Sequence, residues 1–135
     1  MPLRGTNSTG ANDQFQVGGL AMLGIDANAV FRIPVNTTVA ATGSTVADAA
    51  QIYPGITIVT GADATKGVLL PATPLAGTVV IVKGTTAAVL KVWPDAAATI
   101  NAIGSNGSIS LASLVTAIFI ATSATQWYTI PLLPS

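Results

Sequence analysis

The chain has 135 residues, half of them apolar, with no histidine and no cysteine. Five basic and five acidic residues cancel to a net charge of zero. The basic residues are scattered along the sequence, so no basic face of a nucleic-acid binder is visible, and the missing cysteine excludes a disulfide framework.

A single domain of this length buries roughly 65–70% of its unfolded surface, enough for a core without staples. Only 7% of the residues are charged, against about 25% in ordinary soluble domains. A half-apolar chain with so few charges is expected to have much of its surface covered by more protein. The longest apolar run, "ISLASLVTAIFIATSA", is shorter than the roughly 18–20 residues of a membrane span and is studded with Ser and Thr. The start, "MPLRGTNSTG", lacks the apolar stretch of a signal peptide. The N-x-S/T triplets at Asn7, Asn36 and Asn106 therefore read as turn and loop chemistry.

Residues 1–25 are rich in Gly, Asn and Thr and read as an extended N-terminal arm, although a frayed terminus has the same composition. Phe15, Leu20 and Met22 are its candidate anchors for a partner. "NAVFRIPV" is a short strand. "NTTVAATGSTVADAAQ" holds either one helical turn, at 45–50, or an irregular loop, and Pro54 stops any helix.

From Ile52 onward, β-branched runs alternate with Gly, Pro, Asn and Asp. The runs are "GITIVTG", "KGVLLP", "GTVVIVKG", "AAVLKVWP", "ATINAI", "GSISL", "VTAIFIA" and "QWYTIP". Seven or eight strands at roughly 8–12-residue spacing predict an all-β sandwich or barrel, placed in a domain over 26–135. "TVVIVKGTTAAVLKVWP" predicts a hairpin turning at Lys83–Thr86. Gly67, Gly77 and Gly84 are expected at strand ends or turns. Leu111, Leu114, Val115 and Ile118 also fit helical spacing, but the β-branched Val115, Thr116, Ile118 and Ile120 favour a strand. In Val79–Val82 both sheet faces are apolar, so the face turned away from the core needs cover from the arm, another layer or a neighbouring subunit.

Residues for acid–base chemistry are scarce. The acids are Asp13, Asp26, Asp48, Asp63 and Asp95, far apart and in loop-like sequence. "GADATKG" lacks the order of a phosphate-binding loop, and "GIDAN" lacks most ligands of a calcium loop. Trp93, Trp127 and Tyr128, with Tyr53 behind them, are candidates for carbohydrate stacking or for packing. Trp127 and Tyr128 are sequential, so a strand turns them to opposite faces and at most one enters the core. Both are carried as candidate partner-binding residues. No catalytic, cofactor-binding or metal-binding residue is assigned.

The segment from about Ala62 to Pro131 resembles a β module recurrent in structural proteins of tailed bacteriophages. The elements are "ATKGVLLP", "AGTVVIVKGTTAAVLKVWP", "ATINAIGSNGSISL" and "TAIFIATSATQWYTIP". Such modules occur in capsid decoration (cement) proteins and in fibre or appendage proteins. The resemblance implies a β-sandwich, jelly-roll-like fold, no enzymatic activity and no cofactor. It also implies a place on the capsid exterior of the virion after synthesis in the host cytoplasm. The implied partners are the major capsid protein and further copies of the chain, a dimer or trimer, with neither nucleic acid nor membrane. The alternatives are a head-fibre or tail-fibre component and a carbohydrate-binding β-module.

Overall fold

The computed structural model describes residues 13–17, 20–25 and 31–133, and up to Phe31 it describes the backbone alone. The chain divides into two compact units, Met1–Val35 and Asn36–Ser135. Most of the expected arm therefore falls outside the described residues. The described part of the first unit is a three-stranded antiparallel sheet of β1 (Asp13–Val17), β2 (Leu20–Ile25) and β3 (Phe31–Arg32). Its register runs from Asp13↔Ile25 to Val17↔Leu20, with an irregularity between Phe15 and Gln16.

The second unit is all-β, with no helix among the described residues. Its strands are β4 (Val39–Ala40), β5 (Ala50–Gln51), β6 (Gly55–Thr60), β7 (Gly67–Leu69) and β8 (Val79–Gly84). They continue with β9 (Leu90–Trp93), β10 (Thr99–Ile100), β11 (Ile109–Leu111), β12 (Thr116–Ser123) and β13 (Gln126–Ile130). Each of the apolar runs from Ile52 onward thus forms a strand. The ambiguous stretch around Leu114 is extended on both sides, with a turn at Leu114 itself, whose φ is 62°. The segment before β5 is one isolated turn, in which Ala49 N donates to Thr45 O at 3.1 Å.

Strands β10-β13-β12-β8-β6-β4 form one sheet and β11-β9-β7-β5 another. From β4 to β12, consecutive strands alternate between the two sheets. Strands β4, β6 and β8 run parallel to each other, as do β5, β7 and β9. Val39 pairs with Val59, and Val59 with Gly84; Ala50 pairs with Val68, and Val68 with Val92. Those separations (20 and 25, 18 and 24 residues) mean that each winding of the chain lays one strand in each sheet. The later strands close this coil mainly by antiparallel pairing, β12 with β8 and β13, and β11 with β9.

The hairpin expected at Lys83–Thr86 is not formed. Strand β8 pairs with β6 and β12, and β9 with β7 and β11, so the segment between them crosses from sheet to sheet. Strands from elsewhere in the chain satisfy both edges of β8 and of β9, and a polar Gly-Thr-Thr turn serves a crossing as well as a hairpin.

Burial alternates along the strands, as in Gly55–Thr60 and Thr116–Ala121. Val80, Val82, Phe119 and Trp127 of the larger sheet and Val92 and Leu111 of the smaller one meet in a single apolar cluster. Burying a side chain such as Phe119 contributes about 1.5–3 kcal/mol relative to leaving it exposed.

Gly67, Gly77 and Gly84 do sit at strand ends or a turn, for different reasons. Gly77 has φ of 92° in a turn. Gly67 is a close approach: a Cβ there would lie 2.0 Å from the Lys91 carbonyl oxygen and 2.3 Å from the Trp93 ring. Gly84 has ordinary room, its nearest neighbours being 3.9 Å from an added Cβ. Of the N-x-S/T asparagines, Asn36 donates to Tyr53 O, Pro54 O and Thr57 Oγ1, and Asn106 Oδ1 accepts from Ala97 N at 2.8 Å. Both serve loop structure, and Asn7 lies outside the described residues.

Candidate interaction surface

Two of the three acids of the second unit, Asp63 and Asp48, are committed to local turns. Asp63 Oδ1 accepts from Thr65 Oγ1, Lys66 N and Thr65 N, and Lys66 Nζ lies 3.0 Å from its other oxygen. The Thr65 hydroxyl first, then the Lys66 contacts, hold this carboxyl well below the usual range. Asp48 Oδ1 accepts from Thr45 Oγ1, Thr45 N and Ser44 N, which lower it too, the Thr45 hydroxyl most. Among the described residues no three His, Cys, Asp or Glu side chains gather as a metal site, and no helix is long and apolar enough to cross a membrane. The open grooves are shallow. One, of about 490 Å³, is lined by Tyr53, Pro54, Pro71, Pro74 and Thr78.

The broadest feature is the outer face of the six-stranded sheet. Gly55, Thr57 and Val59 of β6 point inward, so Ile56 and Ile58 point outward. The same alternation turns out Val79, Ile81 and Lys83 of β8, Ile118 and Ile120 of β12, and Tyr128 and Ile130 of β13. The registers align these side chains. Ile56 pairs with Ile81, Ile81 with Ile118 and Ile118 with Ile130, an isoleucine row across four strands. Beside it Val79 pairs with Ile120 and Ile120 with Tyr128. Neighbours in such rows have Cβ atoms about 4.5–5.5 Å apart, so the rows form one continuous apolar surface. Tyr128 is 50% and Ile130 55% exposed. Lys83 is the one charge among these outward positions, and its Nζ donates to the Leu114 carbonyl.

The sequence-predicted residues part company here. Trp127 is fully buried in the core, and its indole N–H has no acceptor among the described residues. Tyr128 points out on the apolar face. Burial thus leaves Tyr128, not Trp127, for a partner. Phe15, Leu20 and Met22 lie on β1 and β2, outside the described side chains. Trp93 is 7% exposed and lies against Gly67, while Tyr53 is open to solvent.

Sequence reasoning did not single out Ile56, Ile81, Ile118 and Ile130. The signal was the doubly apolar alternation of Ile56–Val59, Val79–Val82 and Ala117–Ala121, which marks an apolar outer face without showing which residues line up on it.

Several of the motif residues turn out to hold the scaffold. Asn101 of "INA" and Gln126 of "ATQWY" meet, Gln126 Nε2 donating to Asn101 O at 3.0 Å. Trp93 of "VWP" closes over Gly67 of "KG". Comparison with protein-family models, with curated proteins and with solved structures finds no match to this chain.

Proposed function

We propose that this chain is a non-enzymatic structural protein of a phage virion, a decoration or cement protein that binds the outside of an assembled capsid and stabilises the head. The observation that carries the reading is the in-register row Ile56–Ile81–Ile118–Ile130, a broad apolar surface bearing one lysine. Such a surface suits protein contact. The virion assignment itself comes from the resemblance of residues 62–131. That Gly67, Trp93, Asn101 and Gln126 hold the scaffold supports reading the resemblance as one of module, not of chemistry.

A cement protein needs contact area, and stable interfaces bury roughly 1,200–2,000 Å². Binding the assembled lattice alone, it stabilises that state by mass action. Its partners on this reading are the major capsid protein and its own copies, on the capsid exterior after synthesis in the host cytoplasm. We read the two sheets as the layers of a β-sandwich, jelly-roll-like in enclosing one core, with parallel windings in its first half. The carbohydrate-binding alternative needs exposed coplanar aromatics, and both tryptophans are buried.

Electron microscopy of capsids incubated with the purified chain tests the reading. Added density at repeating positions on the capsid exterior, with a raised capsid melting temperature, is the expected result. Bare capsids at saturating protein, or density confined to the tail, would overturn it.

A further inference from the structure

The connection from β10 to β11 contains the one Asn-Gly dipeptide of the sequence, Asn106–Gly107. The fold calls for each residue separately. Asn106 has φ of 62°, a left-handed conformation that glycine and asparagine adopt most readily. Its N–H donates to Ala98 O at 3.0 Å, and its Oδ1 accepts from Ala97 N at 2.8 Å. A Cβ at Gly107 would lie 2.3 Å from Ile103 Cγ2 and 2.8 Å from the Gly104 carbonyl oxygen, so any side chain there must displace a neighbour. Gly107 N donates to that same carbonyl at 2.9 Å.

Side by side, these two residues make a reactive pair. Gly107 has no side chain to shield its nitrogen from the Asn106 carboxamide, and Asn106 is exposed to water. Once Gly107 N loses its proton to hydroxide, it can attack Asn106 Cγ. The new C–N bond closes a five-membered imide, and Nδ2 leaves as ammonia, protonated by water. Water then opens the imide at either carbonyl. One opening gives aspartate at position 106. The other gives isoaspartate, whose backbone runs through the former side chain. The net change is amide plus water to carboxylate plus ammonium, with nothing oxidised or reduced.

The folded connection holds both reacting groups, Gly107 N–H on Gly104 O and the carboxamide on Ala97 N. We propose that Asn106 is a site of self-modification that the fold keeps latent. Opening of the 101–108 connection lets Gly107 N close on Asn106, and the isoaspartate product keeps the connection from re-forming. Its extra backbone carbon moves Gly107 N away from Gly104 O. Either product adds one negative charge to a chain of net charge zero, on a groove of about 540 Å³ that Trp93 and Asp95 also line. The inference is independent of the virion reading, since it needs only the chain and water.

The test ages the intact chain in mildly alkaline buffer, once native and once in urea at which the tryptophan emission shows it unfolded. Peptide mass spectrometry follows each asparagine. In urea Asn106 should deamidate first, with isoaspartate as the main product. Asn101 is an internal control, because it shares the left-handed backbone, at φ of 54°, but precedes Ala102. The native chain should react at Asn106 at least about tenfold more slowly, as an opening free energy of about 1.4 kcal/mol already requires. Chain carrying isoaspartate at position 106, isolated by chromatography and refolded, should melt below Asn106→Asp, which keeps an acceptor for Ala97 N. Three results would each overturn the inference: Asn106 lagging another asparagine in urea, equal rates in the native and unfolded chains, or an isoaspartate chain that melts with Asn106→Asp.

Discussion

Asn101 and Thr129 hold each other twice. Asn101 Nδ2 donates to Thr129 Oγ1 at 2.9 Å, and Thr129 N donates to Asn101 Oδ1 at 3.0 Å. The same hydroxyl accepts from Leu133 N at 3.1 Å, and Asn101 N donates to Trp127 O at 2.8 Å. Strand β10 has only two residues in the ladder, so side chains supply the attachment that its backbone is too short to provide.

Asn101→Ala should therefore loosen the edge of the six-stranded sheet. It removes the acceptor of Thr129 N and one of the two donors to the Thr129 hydroxyl, at about 1–3 kcal/mol. Asn101 also has φ of 54°, a conformation in which an alanine adds about 1 kcal/mol of strain. Asn101→Gly keeps the backbone freedom and loses only the side chain, so it should be the milder change. Urea unfolding of the two variants beside the parent checks both effects. Equal midpoints for all three would show that the clasp contributes nothing.

Gly67 and Gly84 should respond oppositely to alanine. The Lys91 carbonyl blocks a Cβ at Gly67, and overpacking of this kind costs about 1–3 kcal/mol. Trp93→Leu, which removes the second obstacle, should not rescue Gly67→Ala, because the carbonyl belongs to the neighbouring strand. Gly84→Ala should stay within about 0.5 kcal/mol of the parent. Thermal melts of the four proteins separate these outcomes.

These glycines show what was legible in the sequence. Punctuation placed Gly67, Gly77 and Gly84 at strand ends or turns, because local backbone needs are written locally. Which of them tolerates a methyl group depends on a strand 24 residues away, where Lys91 pairs with Gly67. The misplaced hairpin has the same origin. Strand existence follows from β-branched runs and their breaks, but the partner of β8 is chosen by matching apolar faces across a winding. Of the candidate site, the opposite facing of Trp127 and Tyr128 followed from strand alternation. The alignment of four isoleucines did not, because it requires three registers.

The tryptophans offer an optical check. Trp127 is wholly buried and Trp93 nearly so. The native protein should emit at short wavelength and resist quenching by acrylamide until it unfolds. Trp127→Phe should leave the signal of Trp93, still shielded by the close packing over Gly67. Ready quenching in the native state would place a tryptophan on the surface and revive a stacking role for it.

Stability should depend on pH at the acid end through Asp48 and Asp63. Hydrogen bonds hold both carboxyls below their ordinary value of 3.8 in the folded chain. The unfolded chain therefore binds protons first as pH falls. The stabilisation is fully present above the ordinary value and is lost as pH drops through the folded values. Asp48→Asn combined with Asp63→Asn keeps an acceptor oxygen at each turn and removes the charge. At about pH 6 the double variant should melt below the parent, and the gap should narrow as pH falls below the ordinary value toward about pH 2, where the carboxyls of the unfolded chain are protonated. Both side chains are open to solvent, so added salt should shrink the contribution of the Lys66 pairing and leave that of the threonine hydroxyls. A gap that stays constant from neutral to acid pH would mean that the asparagines disturb the turns by their shape, and that the carboxylate charge contributes nothing to holding them.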